Sequence, residues 1–273
     1  MRGRPPPRSY DEPFVWWGPR WEPPSERTIV DLIRAGMLST RVAALLWGML
    51  ARRATVLVAA GPRGAGKTTL LTALLDFLPA GTRRIYPRGC YESFSFLDDP
   101  AVEPARSVLL INEISPHLPA YLWGPGVHRA FAATSRGFAL AATAHATSIA
   151  DLVGQLTGYP LRVPIRALAA LSLVVFVTAG EERGEVIRRV ERVWFVSGGE
   201  RGGLTVDPIA STDEITLNKI PAGRGAILPN EPEIAARAEF LDSLLTLALD
   251  NDLARTRRAI AAYRYDGPRP GRP

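Results

Sequence analysis

Apolar positions along the chain follow two rhythms. Short unbroken runs rich in Val, Leu, Ile and Ala alternate with stretches whose apolar residues recur every three or four positions. The first rhythm is that of strands buried on both faces, and the second is that of amphipathic helices. Strands are predicted at 55–60, 83–87, 107–112, 138–143, 172–178 and 192–196, with helices at about 67–78, 126–135, 147–156 and 164–170. Such alternation predicts an α/β fold, a mainly parallel sheet with helices on both faces. Two helices precede it. One runs from Thr28 to Ala35, and the second, about 41–53, is capped by Ser39 or Thr40 and apolar at Val42, Leu45, Leu46, Met49 and Leu50. A single long helix, about 232–263, is predicted near the C-terminus.

Punctuation divides the chain further. Residues 1–26 carry seven prolines and the tryptophans Trp16, Trp17 and Trp21, a composition that precludes helix. They read as an extended arm that docks, on its own domain or on a neighbouring subunit. The expected organisation is an arm (1–26), a helical lead-in (27–53), the α/β domain (54–210), an irregular segment plus helix (211–265) and a tail (266–273).

The candidate chemistry begins where the first strand ends. Gly61-Pro62-Arg63-Gly64-Ala65-Gly66-Lys67-Thr68-Thr69 follows the apolar run 54–60 and leads into a helix with Leu70, Leu71, Leu74 and Leu75. This is Gly-x4-Gly-Lys-Thr in its required strand-to-helix context, the P-loop. Its backbone N–H groups cradle phosphates at a helix N-terminus, its lysine reaches the outer phosphates, and its threonine hydroxyl faces Mg²⁺. The chain has only two lysines, Lys67 and Lys219, so Lys67 is conspicuous. The motif predicts binding of a nucleoside triphosphate with Mg²⁺.

Two further strand ends carry polar residues. Ser107-Val-Leu-Leu-Ile-Asn-Glu-Ile114 places Asn112 and Glu113 after four apolar residues, and Glu113 is the best candidate to hold Mg²⁺ through water. Gly137-Phe-Ala-Leu-Ala-Ala-Thr-Ala-His145 runs into Ala146-Thr147-Ser148. It sets one of the chain's three histidines at a core strand's C-terminal end, within reach of a γ-phosphate.

This order of elements resembles the secretion-system ATPases: the type II secretion, type IV pilus and type IV secretion motors of the RecA-like, additional-strand, conserved-Glu class. The resemblance spans roughly residues 28–210 and is nearer the tight-adherence pilus and conjugative branches. Residues 188–193, Arg188-Arg189-Val190-Glu191-Arg192-Val193, are similar to the family's Arg-Arg-Val strand after its histidine box. What the resemblance implies is an ATP-hydrolysing motor, a hexamer, working with an inner-membrane platform protein to power pilus assembly or secretion. It also implies a shortened N-terminal domain, so that adenine packing would fall to Trp16 or Trp17. Arg83, Arg84 and the Arg188–Arg189 pair are candidates to act on a neighbouring subunit's nucleotide.

The departures from the family pattern bear on hydrolysis. Asn112 stands where the family has Gly, and Ser115 where it has Arg. The acidic box expected after 84–86 is replaced by Pro87-Arg88-Gly89-Cys90-Tyr91-Glu92, which leaves Glu92 as the candidate to position the attacking water and Glu103 as a weaker substitute. Three readings therefore stand: a hydrolysing motor, a non-hydrolysing nucleotide switch of the same fold, and a nucleic-acid translocase.

Composition adjusts this picture modestly. A net charge of +6 and a pI near 9.9 suit nucleic acid, but no run of five basic residues supports it. One cysteine, Cys90, excludes an internal disulfide and the zinc module of the type II branch. The longest apolar run, about 167–179, is too short to span a bilayer, and no leader is visible behind the first residues. A cytoplasmic location is expected, with any membrane attachment made through partners. Ser197-Gly198-Gly199-Glu200 imitates a transporter signature but reads as a hairpin turn, and Asn218-Lys219 lacks the aspartate of a guanine-binding motif.

Overall fold

The structure, a computed structural model, describes residues 10–13, 27–61, 64–199, 202–217, 220, 226–247 and 252–267. Its strands are β1 (Val56–Ala60), β2 (Arg83–Ile85), β3 (Ser107–Ile114), β4 (Ala139–His145), β5 (Leu173–Glu182), β6 (Glu185–Gly198) and β7 (Leu204–Ala210). The α-helices are α1 (Ile29–Arg34), α2 (Thr40–Ala51), α3 (Lys67–Leu74), α4 (Pro125–Thr134), α5 (Ile149–Thr157), α6 (Ile165–Leu168), α7 (Glu231–Thr246) and α8 (Leu253–Ala262).

The seven strands form one sheet in the order β2-β3-β4-β1-β5-β6-β7. Strands β2 to β5 run parallel to one another, and β6 and β7 add antiparallel. Strand β4 is inserted between the P-loop strand β1 and the acidic strand β3, which is the additional-strand, RecA-like arrangement.

Strand alternation builds a core on each face. Val56, Val58, Leu110, Ala141 and Val175 look toward α1, α2, α3, α7 and α8, and their neighbours Leu57, Ala59, Leu109, Leu140 and Val174 look toward α4, α5 and α6. On the first face Trp47 stacks on Phe77 at 4.9 Å, and the Arg237 guanidinium lies 4.7 Å from the Trp47 ring centre. Glu233, almost wholly buried, accepts from Arg52 at 2.9 and 2.6 Å and from Arg237 at 3.1 and 3.0 Å. Burial pushes its carboxyl upward, yet the hydrogen bonds from Arg52 and Arg237 outweigh it and hold the group below its ordinary value.

Local rules explain the element ends. Thr28 and Asp31 form a capping box on α1, and Ser39 caps α2. The predicted single helix at 232–263 is two. Helix α7 ends at Thr246, and Asp252 caps the start of α8 by accepting from the Arg255 amide. Strand β6 begins seven residues before the predicted 192, at Glu185. Arg183 and Gly184, both at positive φ, turn a long β5–β6 hairpin whose outer half is polar and exposed. An apolar-run criterion passes over such a segment.

The described part of the arm docks on its own domain. Tyr10 accepts from the Tyr86 amide at 2.8 Å beside edge strand β2, and its hydroxyl bonds Asp99. Asp11 makes a two-point pair with Arg83 at 2.9 Å each, which raises the Arg83 pKa above its ordinary value. Arg83, one of the candidates to act on a neighbouring subunit's nucleotide, is thus paired within its own chain. Trp16, Trp17, Trp21, Glu200, Asn218 and Lys219 lie outside the described residues.

Candidate functional site

Helix α3 starts at Lys67, and its N-cap is Gly66 at φ +91° with no side chain capping the first turn. The leading N–H groups of any α-helix have no partner within the helix. Here they belong to Lys67, Thr68 and Thr69, and the helix dipole adds positive potential at the same point. Gly64 is also left-handed, at φ +77°. At Gly61 the constraint is closeness: an added Cβ would lie 3.1 Å from the Thr147 methyl. Pro62 and Arg63, the remaining P-loop positions, are outside the described residues.

Lys67 is buried, and the ends of β3 and β4 bring Glu113 and His145 to it. His145 closes β4 in register with Ala60, the last residue of β1, and the Ala146 amide donates to the Ala60 carbonyl at 3.2 Å. Register between β3 and β4 shifts between Ile111 and Ile114, a bulge holding Asn112 and Glu113. Thr143 Oγ1 ties the bulge to β4 by donating to the Asn112 carbonyl at 2.5 Å. A bulge re-aims the side chain it carries. The Glu113 carboxylate lies 3.4 Å from His145 Nε2 and 4.0 Å from Lys67 Nζ. Lys67 Nζ lies 3.4 Å from each ring nitrogen of His145. An ammonium, a carboxylate and an imidazole therefore converge at the C-terminal ends of β1, β3 and β4, where open α/β sheets hold their ligands.

The loop behind His145 is fixed. Asp151 accepts from the Thr147 amide at 2.8 Å and from its hydroxyl at 3.1 Å, and the amide bond leads the effects that lower the Asp151 pKa. Ser148 caps α5.

Glu92 is placed differently. Its two carboxylate oxygens accept from backbone amides of its own loop, those of Arg88 at 2.7 Å and of Phe94. That loop is pinned beside the one following β3, because the Cys90 amide donates to the Pro119 carbonyl at 2.9 Å. The weaker substitute, Glu103, pairs at 3.9 Å with Arg106.

One residue near the site escaped the sequence reading, and a second has a different partner from the one expected. His117, four positions past Glu113, sets its ring 6.2 Å from that of His145. Arg188, one of the candidates to act on a neighbour, donates from Nε to the Gly64 carbonyl at 2.9 Å within the same chain. Arg189 instead pairs with Glu182 at 2.7 Å.

Fold and site together define a RecA-like P-loop protein. No family model matches the sequence. The chain is 28% identical over 241 residues to the uncharacterized protein MJ0900 of Methanocaldococcus jannaschii, an alignment covering 79% of this chain and 42% of that protein. The chain thus spans less than half the length of the curated relative it matches. Among solved structures it is similar to the VirB11 ATPase from the Brucella suis type IV secretion system in complex with sulphate. That match has TM-score 0.39 and 21% identity over 57% of this chain and 50% of that one. It is similar also to the ATPase DotB of Legionella pneumophila, with TM-score 0.38 and 12% identity over 60% and 52% of the two chains. No helix among the described residues is long and apolar enough to cross a membrane.

Proposed function

We propose that this chain is an ATP-binding, ATP-hydrolysing motor subunit that works as a homo-oligomer to power pilus assembly or protein secretion. The observation that carries the reading is the meeting of Lys67, Glu113 and His145 beside the uncapped start of α3. In this reading the N–H groups of the loop and first turn hold the phosphates, and Lys67 leaves Glu113 to neutralise the outer ones. The Thr68 hydroxyl and, through water, Glu113 would hold Mg²⁺, and the ion when bound would supply positive charge beside the phosphates. His145, between Lys67 and Glu113, contacts the γ-phosphate and registers its loss. The order of P-loop, acidic strand and histidine strand supports assignment to the secretion and pilus motors, with an inner-membrane platform protein as partner.

The test is ATP turnover per subunit measured against protein concentration. The rate rises as subunits assemble, and Lys67→Ala lowers it by about two orders of magnitude or more. Turnover unchanged by Lys67→Ala ends the proposal. A second reading, a nucleotide switch without hydrolysis, is favoured by Glu92, whose carboxylate is committed to the Arg88 and Phe94 amides. Stoichiometric ATP binding with no turnover at assembling concentrations decides for the switch.

A further inference from the structure

The sheet order sets Glu113 and His145 on one side of β1 and Arg188 on the other, two strands away on β6. Arg188 reaches back over the P-loop. Its Nε–H donates to the Gly64 carbonyl at 2.9 Å, and its Cδ lies 3.2 Å from where a Cβ on Gly66 would stand. The strand beneath it is firmly held. The Val190 amide donates to the Met37 carbonyl at 2.8 Å, and the Thr212 hydroxyl donates to the Val190 carbonyl at 2.8 Å. The Met37 methyl stands 3.5 Å from the same Gly66 Cβ position, so the α1–α2 turn, β6 and the P-loop meet at one point. Among the described residues no carboxylate pairs with the Arg188 guanidinium, in contrast to Arg189 with Glu182 and Arg83 with Asp11.

A guanidinium presents five N–H donors in a planar fork and accepts nothing. One of these donors is used on Gly64, which among the described residues leaves the Nη pair and the positive charge without a carboxylate partner at the phosphate loop. Among the described residues the other cation there is Lys67, which lies 4.0 Å from the Glu113 carboxylate. We propose that Arg188 binds the phosphates of a nucleotide held by its own subunit: Nε keeps the loop in place through Gly64 while the Nη groups bond phosphate oxygens. This rests on the nucleotide-binding reading above, and it makes the residue a cis ligand rather than one donated to a neighbour. A two-point arginine–phosphate contact also distinguishes charge from mere loop support.

The experiment titrates the full chain with a fluorescent ATP analogue in Mg²⁺, for wild type, Arg188→Ala, Arg188→Gln, Arg188→Lys and Lys67→Ala. Arg188→Ala weakens binding about ten- to a hundredfold, the scale of a charge-assisted contact. Arg188→Gln, whose amide still donates to Gly64 but carries no charge, weakens it equally, and Arg188→Lys, which keeps the charge but not the planar fork, recovers only part of the loss. Wild-type affinity in Arg188→Gln means that the residue only latches the loop and overturns the proposal, as does unchanged affinity in Arg188→Ala. An equimolar mixture of Arg188→Ala and Lys67→Ala subunits, at assembling concentration, tests the cis assignment. Affinity stays at the Arg188→Ala value if the residue serves its own subunit, and wild-type affinity at those Arg188→Ala sites that have a Lys67→Ala neighbour overturns that. Lys67→Ala separates the two levels. If it binds like wild type, both readings fall. If it loses binding while the Arg188 variants do not, the Arg188 proposal alone falls.

Discussion

Replacing Glu113 by Gln should tighten nucleotide binding in the absence of Mg²⁺ while stopping turnover. The carboxylate lies 4.0 Å from Lys67 Nζ, and the two side chains are 11% and 7% exposed. At an effective dielectric near 20 the attraction between unit charges at that distance is about 4 kcal/mol. A triphosphate competes for the same ammonium and is repelled by the same carboxylate, so both effects oppose binding until Mg²⁺ intervenes. Part of the attraction is lost to water and to relaxation of Lys67 toward His145, and about 1–2 kcal/mol should appear as affinity, roughly tenfold. In the proposed role Glu113 would hold the cation's water, so with Mg²⁺ present the uncharged variant's turnover should fall by about a hundredfold or more. The assay pairs a fluorescent-ATP titration in EDTA with phosphate release in Mg²⁺. Weaker binding of the Glu113→Gln protein in EDTA would refute the charge argument. Turnover within a factor of about three of wild type would remove Glu113 from the chemistry.

Two other substitutions test the placement of carboxylates. Glu233→Gln leaves Arg52 and Arg237 facing an uncharged group in a buried setting and should cost about 3–5 kcal/mol by denaturant unfolding. Because the Glu233 carboxyl titrates below its ordinary value in the folded protein, its stabilisation is complete above the unfolded pKa near 4.3. It is lost as pH falls through the lower folded value, so the wild type should lose stability there and the Gln variant should show less of that loss. Glu92→Gln keeps only one acceptor oxygen for the two amides of Arg88 and Phe94 and should lower the calorimetric midpoint by a few degrees, with a smaller loss of turnover than Glu113→Gln. An equal loss of turnover would return to Glu92 the water-positioning role that its place in the sequence predicts.

Legibility in the sequence followed how local each feature is. The P-loop could be read because glycine at left-handed positions, a lysine at the helix start and an apolar strand before it are all set within a dozen residues. Strands β1, β3, β4 and β5 were readable because burial on both faces leaves an unbroken apolar run. Strand β6 was underestimated for the opposite reason: its first half projects into solvent as Glu185, Arg188 and Arg189. The break between α7 and α8 was missed because apolar periodicity continues across it, and only the Asp252 cap marks the new start.

Chain order alone predicted the class of ligand and the kind of sheet, since turn chemistry, alternation and helix periodicity are relations between near neighbours. The tertiary structure decided which side chains share the site. Glu113 reaches Lys67 through a bulge against β4, and His145 reaches it through register with Ala60. Arg188 comes to Gly64 from 124 positions away, and the same assembly commits Arg83 to Asp11 and Glu92 to its own loop. Those partnerships depend on strand order, register and competing hydrogen bonds across the folded sheet. Residue identity and spacing do not encode them locally.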